Sequence, residues 1–403
     1  MTKGQSSSLL EVAKFGTAAE IRSALAGGAD SAARDEIGAT PLMCAASHNP
    51  DPEAITTLLA AGSDLSARDE IGFTPLMYAA PGSNPRVIRA LLEAGADLKA
   101  HSTHGVTSLM LAASYNPNPA IIATLIEAGA DLSDCDDNGT TALMYAATEN
   151  PSPEVIKVLL SAGADLTDRD TEGATALLLA AANNPNPAVV TAILAAGAGI
   201  AESDISGATA LMLAAASNPE PAIVTALLDA GASLSETDER GATALMLAVS
   251  GRARPEIIAT LLRAGADIAA KNNEGATVLM YAAYTDSAEL IALLAESGAD
   301  PNDSDKNGTS PLMLAASANK NADIIAAIVR AGADLQAQDP YGLTALMYAA
   351  AYSQNPEVVT TLLEAGADPA ATSRGGKSAF DFAHDNANLK DTPAYLALSP
   401  RQP

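Results

Sequence analysis

The sequence predicts a mainly α fold, a solenoid of stacked helix-turn-helix units, on three observations. Glycine recurs at Gly38, Gly72, Gly105, Gly139, Gly173, Gly207, Gly241, Gly275, Gly308, Gly342 and Gly376, 33 or 34 residues apart. A fixed period of about 20–50 residues marks units that are each too small to bury their own apolar face. Between the glycines one order of side chains returns, as in GTTALMYAATENPSPEVIKVLLSAGADLTDRDTE from Gly139 to Glu172. Tryptophan is absent and aromatic residues are 3% of the chain, while Ala and Leu dominate, which suits close helix packing through small side chains.

A chain of 403 residues would ordinarily hold two or three globular domains, but the repeat favours a single repeat domain over 1–403. The two cysteines, Cys44 and Cys135, stand at unrelated places of the repeat and give no disulfide framework, so a reducing compartment is expected. The first residues lack the apolar run of a signal peptide, and no segment approaches the ~18–20 apolar residues of a membrane span. A soluble, cytoplasmic monomer is expected. The net charge of −26 argues against nucleic acid and anionic membrane surfaces as partners. Much of that charge sits at fixed places: Asp97, Asp131, Asp165, Asp267, Asp334 and Asp368 after Gly-Ala, and Asp35, Asp69, Asp136, Asp170, Asp204, Asp238, Asp305 and Asp339 three before the finger-tip glycine. These read as structural carboxylates.

In chain order, residues 1–7 read as a short disordered lead and 8–37 as an amino-terminal cap repeat, with Glu11, Lys14, Glu20 and Arg22 among its apolar positions. About ten repeats fill 38–375. In each, a hydroxyl such as Thr141 is placed to cap a first helix of about eight residues. Thr40, Thr74, Thr107, Thr175, Thr209, Thr243, Thr277, Thr344, Ser310 and Ser378 repeat it, and Pro41, Pro75 and Pro311 follow at the place where a missing N–H costs nothing. Leu143, Ala146 and Ala147 have the spacing of a buried helical face. Asn150-Pro151 ends that helix. Ser152 reads as the cap and Pro153 as the first residue of a second helix to Ala162, and Asp51, Asn118, Asn186 and Asn355 repeat this capping. Val155, Ile156, Leu159 and Leu160 form its apolar stripe, Gly163 its left-handed end. Asp170 to Gly173 is a type I turn signal at the tip of a hairpin-like finger. Residues 376–398 read as a carboxyl-terminal cap, with Asp381 and His384 replacing apolar residues and a last helix over Leu389–Leu398.

Helix, turn, helix, Gly-Ala-Asp and Asp-x-x-Gly together resemble the ankyrin-repeat family over about residues 8–398. The resemblance implies β-hairpin fingers and a non-catalytic protein-protein interaction module or scaffold. Methionine takes the place of the family's T-P-L-H histidine at Met43, Met77, Met110, Met144, Met212, Met246, Met280, Met313 and Met347, with Leu178 the exception. That stripe reads as an adaptable core seam in preference to a binding surface. The Asn-Pro-x-Pro loop between helices is one residue longer than usual, a variant that looks bacterial. Ser250–Arg254 and Tyr284–Ser287 lose it, which predicts a softer stretch from Ala201 to Asp300.

No nucleophile with a base, no phosphate loop and no cofactor motif is seen, so neither an enzyme nor a cofactor is expected. His101, His104 and Cys135, with Asp137 the nearest fourth ligand, are the sole metal candidate, and a weak one across a repeat spacing. What varies between repeats is the place four before the tip glycine, the two before it, the one after it, and the two after the Ala-Ala pair. In ankyrin proteins these line the concave face, where another protein or peptide binds. Carried over, the amino-terminal part of that face holds Arg34, Ile37, His48, Arg68, Ile71, Phe73, His101, His104, Val106 and Tyr115. The carboxyl-terminal part holds Lys271, Tyr284, Lys306, Tyr341, Leu343 and Tyr352, with a blander stretch between. A regulatory or host-directed effector using the same surface is the alternative reading.

Overall fold

The computed structural model describes residues 8–82 and 84–399 and falls into two units, Met1–Ile205 and Ser206–Pro403. The lead expected over 1–7 lies outside the described residues. In the first unit twelve helices run from Leu9–Phe15 to Pro187–Ala195, and in the second twelve run from Ala210–Ser217 to Pro393–Leu398. Within each unit they alternate: first helices pack on first helices, second on second, and each first helix on its own second.

The two helices of a repeat are buried to different extents because their sequences differ. Ala142–Glu149 buries Ala142, Leu143, Met144, Ala146 and Ala147, nearly its whole circumference. Small side chains on successive turns let neighbours approach from both sides. Pro153–Ser161 buries only Val155, Ile156 and Leu159, each worth about 1.5–3 kcal/mol. The chain leaves that helix through Gly163 at φ 101°, with Ala164 N–H on Leu159 O and Gly163 N–H on Leu160 O, each 3.0 Å. That double bond pattern needs a left-handed residue, which explains the glycine.

All nine methionines of the seam, and Leu178, are at most 1% exposed, so the stripe is core. It is not wholly apolar in role. The sulfurs of Met43, Met110 and Met313 accept the N–H of Thr40, Thr107 and Ser310 at 3.3–3.5 Å, a weak version of a capping box.

Several local expectations are corrected. Thr141, Thr175, Thr209 and Thr277 occupy the N-cap place without a side-chain cap bond. Where Thr40, Thr74, Thr107, Thr243 and Thr344 make it, the distance is 3.3–3.4 Å, beyond the usual range for N–H···O, so the hydroxyl is a marginal cap throughout. Ser152 also makes no cap bond, whereas Asp51, Asn118, Asn186 and Asn355 cap at 2.9–3.1 Å. The last helix is Pro393–Leu398, shorter than expected because Pro393 opens it. Among the described residues the fingers contain only two isolated β-bridges, Cys135 with Thr141 and Thr372 with Ser378. Each finger offers its neighbour a single rung, too little for a ladder of strands.

The loss of the Asn-Pro-x-Pro loop has a local consequence in the second unit. Pro255–Arg263 and Ala288–Glu296 lack the close main-chain approach that every other pair of consecutive second helices within a unit has. A groove of about 430 Å³ opens there, walled by Ala253, Pro255, Ile258, Leu290 and Leu293.

Candidate functional site: the finger and first-helix face

Most finger tips are built by an aspartate, with Ser102, Asn272 and Ser373 in its place in three of them. Asp35 Oδ1 accepts the N–H groups of Ile37 and Ala39 at 3.1 and 2.8 Å, and Gly38 N–H closes the turn on Asp35 O at 3.1 Å. Asp69, Asp136, Asp170, Asp238, Asp305 and Asp339 repeat the geometry. Tip joins tip through one rung in which the residue two before a glycine donates to the carbonyl just before the preceding glycine. Thr171 to Asn138 at 2.8 Å and Lys306 to Glu274 at 2.9 Å are examples. The tip glycine is required at this contact. At Gly139, φ is 78° and an added Cβ would stand 3.2 Å from the main chain of Asp170.

Beneath the tips, tyrosines on the first helix use the second carboxylate oxygen. Tyr78, Tyr145 and Tyr348 donate to Oδ2 of Asp69, Asp136 and Asp339 at 2.7, 2.8 and 2.9 Å. Burial first, and the carboxylate second, raise all three phenols, Tyr348 to about 12. Tyr281 instead accepts from the amide of Asn272, which replaces the aspartate in that finger.

At the far end of the first helix, a buried asparagine ties repeats together. Asn150 Nδ2 donates to Ala113 O and Asn116 O, both at 2.8 Å, while its Oδ1 accepts Ser152 N–H at 2.9 Å. Asn49, Asn184, Asn319 and Asn386 do the same within their units. In the sequence this residue stands out only as the one before a proline. Its recurrence as asparagine three places after the Ala-Ala pair, at Asn49, Asn150, Asn184 and Asn319, was the available signal.

The expected recognition residues divide into distinct groups. Arg34 bridges Gly38 O and Arg68 O at 2.6 and 2.7 Å, and Arg68 bridges Gly72 O and His101 O at 3.0 and 2.5 Å. His101 Nδ1 meets Gly105 O at 3.2 Å, and Lys271 pairs with Asp303 at 2.7 Å. His101 closes its own finger, whereas Arg34, Arg68 and Lys271 stitch neighbouring fingers together. Arg169, not singled out from the sequence, does so too, on Gly173 O and Ser203 O. Phe73, Val106 and Leu343, just after the tip glycine, are half-buried against the first helix, as in the edge-on contact of Phe73 with Tyr78 at 6.2 Å.

Ile37, Ile71, Tyr115, Tyr284, Tyr341 and Tyr352 are 48–72% exposed, and His48, His104 and Lys306 are exposed too. Phe15, missed because it was read as part of the cap, is 73% exposed and lies edge-on to His48 at 5.9 Å. Exposed large apolar side chains among the described residues are Phe15, Ile37, Ile71, Tyr115, Ile205, Tyr284, Tyr341, Tyr352 and Leu396. All but Leu396 stand on a finger tip or at the end of a first helix.

His101, His104 and Cys135 are not gathered into a site. Among the described residues no group of three or more His, Cys, Asp or Glu side chains could hold a metal ion, and His104 Nδ1 faces Thr103 Oγ1 at 3.1 Å. Cys44 is buried, which raises its thiol, and Cys135 is exposed. No helix among the described residues is long and apolar enough to cross a membrane.

A family model for ankyrin repeats, three copies long, matches residues 9–102, 98–170, 147–238, 177–272, 211–305 and 279–373. No curated protein matches the chain. The overlapping matches span the helix pairs, the glycine-ended second helices and the aspartate-built fingers described above, and the chain belongs to the ankyrin-repeat family.

Proposed function

We propose that the protein is a non-catalytic interaction module that binds another protein or peptide on the face made by its fingers and first helices. The observation that carries this reading is the one-sided placement of exposed apolar side chains. Among the described residues all five in the first unit, Phe15, Ile37, Ile71, Tyr115 and Ile205, and three of the four in the second, all but Leu396, stand on the fingers or first-helix ends of their own unit. Aromatic side chains exposed together are the residue type enriched in binding hot spots. The contact residues proposed are Ile37, His48, Ile71, His104 and Tyr115 in the first unit, and Tyr284, Lys306, Tyr341 and Tyr352 in the second. Arg34, Arg68 and His101 support them through the carbonyls they hold. The two unpaired thiols support a reducing, cytoplasmic setting.

Photo-crosslinking residues placed at Tyr115 and Tyr341, and at the exposed second-helix positions Glu127 and Glu296, test the face. Crosslinks to one partner from Tyr115 or Tyr341 alone are expected. Crosslinks confined to Glu127 and Glu296 would put the interface on the opposite side.

A further inference from the structure

We infer that the last three fingers recognise an acidic peptide segment, although the chain as a whole carries a net charge of −26. This rests on the proposed binding face and specifies its ligand. Lys306 and Arg374 occupy the same place, two before the tip glycine, in fingers two repeats apart, and Tyr341 stands just before the tip glycine of the finger between them. Lys306 N–H bonds to Glu274 O and Arg374 N–H to Tyr341 O, each at 2.9 Å. Lys377 follows the last tip glycine, its ammonium 5.7 Å from the ring centre of Phe382. None of Lys306, Arg374 and Lys377 enters an ion pair among the described residues.

Three of the neighbouring carboxylates are turned to other work. Asp305 accepts Asn307 and Thr309 N–H groups; Asp339 accepts Tyr341 and Leu343 N–H and the Tyr348 hydroxyl. Asp381, the acid nearest Lys377, caps a helix by accepting from Ser378 N–H and Oγ–H at 2.7 and 2.8 Å. An acceptor carboxylate inside a turn keeps its charge but is not free to fold over a neighbouring lysine. The last three fingers thus hold as many cations, Lys306, Arg374 and Lys377, as carboxylates, Asp303, Asp305 and Asp339, in a chain of net charge −26, and the cations are exposed. At an ionic strength near 0.15 M charges beyond about 8 Å are largely screened, so a short ligand senses the patch and not the chain. A long polyanion would run off it toward Glu274 and the acidic remainder, which disfavours nucleic acid.

Between the cations stand the exposed rings of Tyr341 and Tyr352, the latter 6.3 Å from Tyr348. Packed helices repeat about every 8–10 Å, and an extended chain advances about 3.3 Å per residue. Two repeats therefore correspond to about six residues. The fitting segment carries an acid at each end of such a stretch and an apolar residue midway, over Tyr341.

The test uses the full chain and a fluorescein-labelled seven-residue peptide with terminal glutamates and a central leucine, read by anisotropy. A version with lysines for the glutamates and a short oligothymidine serve as comparators. The acidic peptide is expected to bind, more weakly at high salt, and to lose about tenfold in affinity with Lys306→Glu plus Arg374→Glu. Tyr341→Ala plus Tyr352→Ala should weaken it as much, whereas Lys99→Glu should not. Circular dichroism of each variant controls for folding. No binding of the acidic peptide at about 1 mM, equal binding of the lysine version, or tighter binding of the oligothymidine overturns the inference. If the acidic peptide fails while the residue at position 341 still crosslinks a partner, the binding face stands and only its acidic specificity is lost.

Discussion

Asp339 holds Tyr348 by one carboxylate oxygen, the phenol donating to Oδ2 at 2.9 Å, while the other oxygen takes the N–H groups of Tyr341 and Leu343 at 2.8 Å each. One side chain thus fixes a finger tip to the helix behind it. Tyr348 is raised from 10.0 to about 12, by burial first and by Asp339 second. A phenol whose folded value lies above its unfolded one contributes stability that is complete below about pH 10 and is lost as pH rises toward about 12. Tyr348→Phe should lower the urea midpoint at neutral pH, since a buried acceptor left unpaired costs about 1–3 kcal/mol. The same variant should show a shallower decline between pH 10 and 12, as unfolding at both ends of that window would reveal.

Asn150 is fully buried and satisfies three backbone groups through one amide. Asn150→Ala should cost about 2–4 kcal/mol, because water cannot replace the lost partners. Asn150→Asp should be worse: a carboxylate cannot donate to Ala113 O and Asn116 O. The exposed Asn183, which bonds only within its own helix at 3.2 Å, is the control, and Asn183→Ala should leave the thermal midpoint nearly unchanged.

Arg34 and Arg68 cross between fingers, so their removal should be felt as stability. Arg34→Ala with Arg68→Ala should destabilise the amino-terminal repeats by about 1 kcal/mol, solvent screening keeping the figure small. Ile37→Ala and Tyr115→Ala should leave thermal unfolding as it is, their side chains being free of such bonds and exposed. Equal loss from both pairs, in calorimetry, would contradict the division between stitching and contact residues.

Pro255–Arg263 and Ala288–Glu296 are separated by an open groove where their neighbours are packed. Local opening free energy follows buried apolar contact. Amide hydrogens of these two helices should exchange faster than those of Pro153–Ser161 or Pro356–Glu364. Uniform protection across the four would show that the gap carries no energetic penalty.

Much of this molecule is legible one residue at a time. Gly163 announces the end of a helix because only glycine is at ease at its φ, Pro153 the start of one because it has no N–H to lose, and Asp170 a turn because its carboxylate reaches its own backbone two and four residues on. The place of Leu143 and of the Ala-Ala pair in the core followed from helical spacing. The exposed side chains Ile37, Ile71, Tyr115, Tyr341 and Tyr352 were found because they vary where the frame does not. Hidden from that reading were the contacts with partners some 33 to 37 residues away, Arg68 on His101 O and Asn150 on Ala113 O among them. In each the acceptor is a main-chain carbonyl, which every residue carries alike and no side chain advertises. The sequence therefore determined the repeat, its turns and its apolar seam, where cause and effect lie within one repeat. The tertiary structure alone decided which arginines, asparagines and tyrosines are spent on holding repeats together and which are left exposed.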